Sequence, residues 1–349
     1  MTPGQRILIW TGSTILVLLG IGFLTAYLLY SDYYRAGMET PLDPDAGNRR
    51  FVVAYGQSFS AVALNLADQG FIADSRVLKI HARLHSDQTS VKAGEYELSA
   101  SMTPEEILEK LLSGRVITYA VTFPEGLTLT EMAEIWDASG FGTREEFLQA
   151  SARYRDADLE TPPTGWEGYL FPETYVFTAE FTEDQLVERM IDQFKRIMRP
   201  EWISAAREQN LSLHDVVTLA SLVEEETRIP EERPLVSAVF HNRLKKGMLL
   251  QCDPTVIYAL GNRYTGRLLK KHLALDLPYN TYVYPGLPPG PIASPGAGSL
   301  AAACFPADVD YLYFVADNTG GHRFSRSLAE HNRAVRAYRD GLRTGNADG

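Results

Sequence analysis

The amino-acid sequence predicts a mixed α+β protein that carries a single N-terminal transmembrane helix. An uncharged apolar run fills residues 7–31, and apolar patterns with helical and strand periods succeed one another through the rest of the chain. Capping signals, such as Thr128 with Glu131, mark where several of the helical patterns begin. With 349 residues, the chain is long enough for one large domain or for several smaller ones.

The composition excludes several classes of protein. A formal net charge of -11 argues against nucleic acid as a partner, because phosphate binding needs clustered Lys and Arg. Cys252 and Cys304 form no CxxC or Cys/His cluster, so no metal site is expected, and they are either two buried thiols or a disulfide. The motifs HExxH, SxxK, GxSxG, GxGxxG and Walker A do not occur, and no cofactor is expected.

The N-terminal apolar run has the length of a membrane span. From Ile7 to Ser31 no residue is charged, and as a helix this run would measure roughly 37 Å against a hydrocarbon core of ~30 Å. Trp10 lies near one end and tyrosines cluster at the other, as is typical of membrane interfaces. A cleaved signal peptide is the alternative, but the run is long for one and no A-x-A-like site follows it. Arg6 and the α-amino group predict a cytoplasmic N-terminus, with the remainder of the chain outside the cytoplasm.

A linker and a small α+β segment follow the predicted span. Residues 32–50 are polar and rich in Pro, Gly and Asp in their second half, which predicts a linker. Residues 51–115 read as strand, two helices, strand and helix, although the first helical pattern, SFSAVALNLADQG, also alternates like a strand. Thr103 and Gly114 are the expected ends of the last helix.

Residues 116–340 form the larger predicted region, and residues 341–349 a tail. A strand and turn, VITYAVTFPEG, precede two helices and an aromatic loop, GWEGYLFPETYVF. Long helices then continue to about Gly247, and residues 250–325 are rich in loops. DYLYFVAD is predicted as a buried strand and SLAEHNRAVRAYRDGLR as a terminal helix.

Three consecutive glutamates end an apolar helical pattern at LASLVEEETR. A rotation of roughly 100° per residue places Glu224 within the apolar stripe, between Leu213 and Val217. Glu225 falls on the polar side with His214, Thr218 and Ser221, and Glu226 falls at the border of the stripe. A carboxyl surrounded by hydrocarbon tends to keep its proton, as a general acid must. The alternative is that the helix simply ends and Glu224 reaches solvent.

Amides, hydroxyls and aromatic rings follow within a short stretch. Hydrogen-bonding groups and flat rings are what a groove for a carbohydrate polymer needs, although each of these residues alone is more often structural. His322 and His331 are further candidates, for which surface or cap roles are the alternative. The predicted substrate-binding residues are Gln251, Asp253, Thr255, Tyr258, Asn280 and Tyr282.

These motifs, taken in order, resemble the endolytic murein transglycosylase (YceG-like) family. The resemblance is carried by FPEGLT, EGYLFPETY, LASLVEEET, VFHNRLKKGMLLQCDPTVIYALG, YNTY, GLPPGPIASPG and YLYFVADNTGGHRFS, and it runs from about residue 50 to residue 340. It implies an N-terminal membrane helix, a small LysM-like subdomain at 51–115 and a catalytic domain at 116–340. By this resemblance, Glu224 is expected to be the catalytic glutamate.

The resemblance also implies an activity and a location. The family cleaves peptidoglycan glycan strands internally, between MurNAc and GlcNAc, and leaves 1,6-anhydro-MurNAc ends. It implies a single-pass protein of the cytoplasmic membrane, anchored in lipid and close to peptidoglycan synthases, although no sequence feature names such a partner. A non-catalytic peptidoglycan-binding scaffold and a hydrolytic muramidase remain the alternatives.

Overall fold

The computed structural model describes the backbone of residues 3–85 and 90–345 and the side chains of residues 15–85 and 90–342. Met1 and Thr2 of the predicted leader and residues 346–349 of the predicted tail lie outside the described residues. The side chains of Arg6 and Trp10, used in the topology prediction, also lie outside them. The chain divides into two compact units, residues 1–119 with Phe177–Glu180 and residues 120–176 with 181–349.

The N-terminal helix, α1, spans Pro3–Glu39 and so continues past the predicted end of the span at Ser31. Among the described residues, its part from Ile15 onward is the one helix long and apolar enough to cross a membrane. The linker predicted at 32–50 is wrong in its first part, because Tyr34 and Met38 pack against the core of the first unit and keep this part of the chain helical. Gly37 permits the approach, since a Cβ there would lie 2.6 Å from Val77 Cγ2.

The first unit confirms the predicted order of strand, two helices, strand and helix. Its two strands are antiparallel, with Phe51 opposite Tyr96, and both rings are fully buried. The ambiguous pattern SFSAVALNLADQG is a helix, capped by Ser58. Thr103 and Gly114 end the last helix as predicted, with Gly114 at a φ of 71°. The elements are β1 (Asn48–Val53), α2 (Phe59–Asp68), α3 (Ser75–Leu84), β2 (Gly94–Ser99) and α4 (Pro104–Ser113).

The second unit is mainly helical, with two small two-stranded sheets. β3 pairs with β4, and β5 pairs with β6 in antiparallel register. Its strands are β3 (Tyr119–Thr122) and β4 (Thr174–Phe177), each of which has one terminal residue in the first unit, and β5 (Tyr313–Ala316) and β6 (His322–Ser325). Its helices are α5 (Leu129–Ser139), α6 (Arg144–Arg153), α7 (Glu183–Ile197), α8 (Pro200–Glu208), α9 (Leu213–Glu226), α10 (Arg233–Lys245), α11 (Asp253–Leu260), α12 (Ala297–Cys304) and α13 (Leu328–Gly345). Single 3-10 turns occur at Pro230–Glu232, Gly261–Arg263 and His272–Ala274.

Several boundaries differ from the sequence predictions. Two strands, β4 and β6, and two helices, α11 and α12, lie in segments that were read as loops. β5 is only partly buried, because its single partner strand leaves part of it open. α13 continues to Gly345, five residues into the segment predicted as a tail.

Helix α9 lies at the centre of the second unit, packed against α8, α10, α11 and α12. Its capping box, Ser212 with Asp215, forms as predicted. The side expected to face solvent is covered instead, since Thr218 and Ser221 are 1% and 0% exposed. The Ile292 N–H donates to Ser221 Oγ at 3.1 Å, so a segment distant in sequence closes over this side.

Candidate active site

An open groove of about 630 Å³ lies at the C-terminal end of α9. Its walls come from the loop after β3, the end of α9 and the start of α10, all within the second unit. We call it the glutamate groove, and it is lined by Glu125, Gly126, Glu224, Glu225, Glu226, Thr227, Arg228 and Arg233.

Most of the Glu224 side chain is covered, and both of its carboxylate oxygens have partners. Its side chain is 8% exposed, so the alternative in which it reaches open solvent is wrong. Oε1 accepts a hydrogen bond from Arg233 Nη2 at 3.3 Å, and Oε2 accepts one from the Gly296 N–H at 3.0 Å. The expected hydrocarbon surroundings are therefore also wrong, because an arginine and a backbone amide hold the carboxyl.

The turn after α9 brings Arg233 back to Glu224. Thr227 leaves helical geometry, and its Oγ1 accepts from the Ile229 N–H at 3.1 Å. Pro230 then starts a 3-10 turn that leads directly into α10, whose first residue is Arg233. The Gly296 N–H lies at the N-cap of α12, so the carboxylate also meets the positive end of that helix. These two partners offset the unfavourable end of the α9 dipole for an acidic residue.

Two sequence motifs meet beside Glu224. The Gly126 N–H of FPEGLT donates to Ser294 O at 2.9 Å, and the Ser294 N–H of IASPG donates to Leu127 O at 2.8 Å. This pairing holds Glu125 over Gly296, where a Cβ would lie 1.7 Å from Glu125 Oε1. Only glycine fits there without displacing the glutamate.

Burial and neighbouring negative charges favour the protonated forms of Glu125, Glu225 and Glu226. Burial of the carboxyl is the main cause, and the charge of Glu224 the second, that raises the pKa of Glu225 to about 7. Averaged over the whole residue, Glu225 is nevertheless exposed to solvent. Burial and the charge of Glu224 also raise the pKa of Glu125, while Arg233 opposes that rise. Burial raises the pKa of Glu226, and a hydrogen bond with the Cys252 thiol opposes it. Among these three carboxyls, that of Glu225 can therefore carry a proton near neutral pH.

Of the predicted substrate-binding residues, Gln251, Asp253 and Tyr282 keep exposed surface. Gln251 has a φ of 51°, unusual for a residue other than glycine. The Tyr282 hydroxyl donates to Asp253 Oδ1 at 2.5 Å, and both side chains interact electrostatically with Glu226. These three lie near the Glu226 end of the glutamate groove but do not form its wall.

Thr255 and Asn280 are placed differently from the prediction. Both are 0% exposed, so neither can touch a ligand in this conformation. Thr255 Oγ1 donates to Cys252 O at 2.7 Å, and Asn280 Nδ2 donates to Leu275 O at 2.8 Å. Their role in this structure is to brace the segment that carries Gln251 and Tyr282.

Tyr258 is half-buried and pairs with a buried acid from the aromatic loop. Its hydroxyl donates to Glu167 Oε2 at 3.3 Å, and the Leu129 N–H donates to Glu167 Oε1 at 2.8 Å. Burial is the main cause that raises the pKa of Glu167 to about 7. Glu167 thus ties the start of α5 to α11 and carries no contact with Glu224 in the described structure.

The remaining sequence candidates have structural contacts. The ring Nδ1 of His322 lies 2.6 Å from Glu232 Oε2, and the backbone N–H of His322 donates to Glu232 Oε1 at 2.7 Å. His331 stacks on Tyr313 with ring centroids 5.1 Å apart. Cys252 and Cys304 are separate buried thiols. Within residues 3–85 and 90–345, no group of three or more His, Cys, Asp or Glu side chains is arranged to hold a metal ion.

Sequence comparison with known proteins indicates the same family as the motifs that build the glutamate groove. Residues 51–337 match the sequence profile described as the YceG-like family. The chain belongs to the YceG-like family. A protein of Bacillus subtilis (strain 168) named endolytic murein transglycosylase is 35% identical over 300 residues, which is 81% of this chain and 82% of that protein.

Two further relatives, at lower identity, point to the same family, one by sequence and one by structure. A Streptococcus pneumoniae serotype 2 protein of that name is 30% identical over 86% of this chain, which spans 61% of the longer pneumococcal protein. A crystal structure of a putative YceG-like protein from Listeria monocytogenes superposes with a TM-score of 0.55 at 31% identity, covering 82% of this chain and 98% of the other.

Three residues around Glu224 were not predicted from the sequence: Glu125, Arg233 and Gly296. Glu125 lies in a loop, Gly296 is the N-cap of α12 and Arg233 is the first residue of α10, so helical periodicity gives no signal for any of them. FPEGLT contains an acid between a proline and a glycine, and IASPG contains a glycine just before a helix, so both were visible only as motifs. Their convergence on Glu224 depends on contacts between segments far apart in the chain.

Proposed function

We propose that this chain is a membrane-anchored endolytic lytic transglycosylase. It would cleave the MurNAc–GlcNAc bond within peptidoglycan glycan strands, leave 1,6-anhydro-MurNAc ends and limit the length of nascent strands. The observation that carries the proposal is the carboxyl of Glu224, which lies in an open groove and is oriented through both of its oxygens. Family relatives named endolytic murein transglycosylase supply the reaction class.

Glu224 performs both proton transfers in the proposed mechanism. Its protonated form donates to the glycosidic oxygen as the bond breaks, and the sugar passes through an oxocarbenium-like state. Its carboxylate then takes the proton of the C6 hydroxyl, whose oxygen attacks C1 and closes the anhydro ring. Because the nucleophile belongs to the substrate, a second carboxylate nucleophile is not required.

The contacts of Glu224 suit that cycle. Arg233 and the Gly296 N–H stabilise the carboxylate that exists between the two proton transfers. They also fix the direction of the carboxyl, so that the same group reaches the leaving oxygen and the C6 hydroxyl in turn. We assign contacts with neighbouring sugars to four residues that solvent can reach. Gln251 and Asp253 are exposed, and Tyr258 and Tyr282 are half-buried.

The test is product analysis of purified sacculi treated with the full chain. The wild type is expected to release muropeptides with anhydro ends, and Glu224→Gln to release them about 10³-fold more slowly. Glu188→Gln, an exposed glutamate on α7, is the matched control and should act like the wild type. Unchanged release by Glu224→Gln would support the non-catalytic scaffold, and products heavier by one water per cleavage would support a hydrolytic muramidase.

We further propose that α1 anchors the chain in the cytoplasmic membrane with the N-terminus in the cytoplasm. The exposed apolar surface of α1 supports this, and the first unit is proposed as a LysM-like module that holds glycan near peptidoglycan synthases. Tyr55 is 91% exposed, so Tyr55→Cys should react with a membrane-impermeant maleimide in whole cells or spheroplasts. The native cysteines are both buried and provide a low background. Labelling only after lysis would contradict this topology.

A further inference from the structure

Arg233 is shared between two carboxylates in the glutamate groove. Its Nη2 lies 3.3 Å from Glu224 Oε1 and 3.4 Å from Glu125 Oε2. Strong arginine–carboxylate pairs are bidentate, with N–O distances of about 2.7–2.9 Å. One nitrogen that serves two carboxylates at longer distances neutralises neither of them fully.

Backbone geometry keeps both side chains in place. The paired backbone of Gly126, Leu127 and Ser294 carries Glu125 to the groove. A Cβ on Gly296 would lie 1.7 Å from Glu125 Oε1, and a Cβ on Gly298 would lie 2.6 Å from Arg233 Nη1. The two glycines therefore leave the space that the glutamate and the guanidinium occupy.

The surrounding charges do not relieve this competition. Carboxylates outnumber cations among the described side chains that face the pair, and α12 contributes no charged residue. Burial and the charge of Glu224 raise the pKa of Glu125, which agrees with two carboxyls that oppose each other's ionisation. The facing groups are Glu131 of α5, Glu225 and Glu226 at the end of α9, Arg228 in the turn after it, Arg233 of α10 and, beyond Glu226, Arg243, Asp253 and His322.

We propose that Glu125 is a positioning residue that competes with Glu224 for Arg233 and thereby weakens the stabilisation that Arg233 gives to the Glu224 carboxylate. The inference rests on the proposed function, because it concerns the proton that Glu224 donates. In the proposed mechanism, Glu224 carries the proton that it donates. When Glu224 gives its proton to the glycosidic oxygen, Arg233 is free to pair with the new carboxylate, and the C6 hydroxyl later returns a proton. Protons balance over the cycle.

Removal of the Glu125 charge should change the pH range of activity. In Glu125→Gln, Arg233 pairs with Glu224 alone and favours its ionised form, so Glu224 loses its proton at lower pH. The alkaline limb of the kcat/KM profile should move to lower pH by about one pH unit, with activity on that limb about tenfold lower. Activity at acidic pH should stay close to that of the wild type. Glu125→Asp keeps the charge but reaches less far, so its limb should lie between the two.

The experiment measures anhydro-product formation from sacculi between about pH 4 and pH 9 for the full-length wild type, Glu125→Gln, Glu125→Asp, Glu224→Gln and Glu188→Gln. The proposal is supported by alkaline limbs in the order wild type, Asp, Gln, with Glu188→Gln on the wild-type profile. Thermal melting checks the fold of each variant. Should Glu125→Gln fail to fold, the smaller shift of Glu125→Asp decides the question.

Two results separate failure of this proposal from failure of the proposed function. Loss of activity in Glu224→Gln, with Glu125 profiles that differ from the wild type only in height, would overturn the role of Glu125 and leave the reaction intact. Unchanged activity in Glu224→Gln would overturn the proposed function and, with it, this inference.

Discussion

The end of α9 and the segment 251–282 both carry polar side chains beside apolar sequence, but they use them in different ways. At the end of α9, Glu224 faces a groove, and its partners come from α10 and the N-terminus of α12. In segment 251–282, Thr255 and Asn280 are fully buried and bond to backbone carbonyls of the same segment. The first arrangement leaves polar groups available to a ligand, and the second uses them to hold a loop in shape.

This difference shows that residue type alone does not identify a ligand-binding group. An amide such as Asn280 suits a sugar hydroxyl and a backbone carbonyl equally well. The decisive quantity is exposure of the polar atom after folding. Substitutions in the two regions should therefore separate activity from stability.

The largest effect is expected for Glu224→Gln. Loss of the general acid should lower the rate of anhydro-product formation by about 10³-fold. Gln can still accept from the Gly296 N–H, so the melting temperature should stay within about 2 °C of that of the wild type. Rate assays on sacculi and thermal melting measure the two quantities. A fall of both together would place Glu224 with the bracing residues.

Glu167→Gln should change the pH dependence of stability. The pKa of Glu167 in the folded protein is about 7, against an ordinary value of 4.5, so its contribution to stability is complete below about pH 4.5 and is lost as the pH rises through 7. That difference corresponds to roughly 3 kcal/mol. Glu167→Gln should therefore gain about 3 kcal/mol in free energy of unfolding, relative to the wild type, between about pH 4.5 and pH 8.

Denaturant unfolding at several pH values measures this gain. The exposed Glu188→Gln should keep the wild-type pH dependence. A Glu167→Gln protein with that same dependence would show that Glu167 ionises freely in the fold.

The smallest effect is expected for Asn280→Ala, which should lower the free energy of unfolding by about 2 kcal/mol. It removes the donor to Leu273 O and Leu275 O and the acceptor of the Tyr282 N–H. Asn262→Ala, at an exposed asparagine of the same unit, should change stability little. Denaturant unfolding and activity of the folded fraction are measured together. A stable Asn280→Ala protein with lost activity would return Asn280 to the ligand-binding group.

Local sequence signals were sufficient for most helices and strands. Thr103, Thr128 and Ser212 cap the helices they were predicted to cap, because a capping box needs only residues three apart. β4, β6, α11 and α12 were missed because they are short and lie among prolines and glycines. The predicted end of α1 was wrong because its last turns are stabilised by docking of Tyr34 and Met38, a contact made with residues later in the chain.

Four features could be predicted from the order of residues alone: the apolar N-terminal helix, the α+β order of the first unit, the family motifs and the position of Glu224 on α9. The surroundings of the Glu224 carboxyl could not, because they form only when the chain folds. Helical rotation reports which residues share a face, but the covering of that face depends on segments brought in from elsewhere, here Arg233, Gly296 and Glu125. Folding places a cation, a helix N-terminus and a second acid where the helical pattern alone indicated hydrocarbon, because long-range packing sets the electrostatic environment of a side chain.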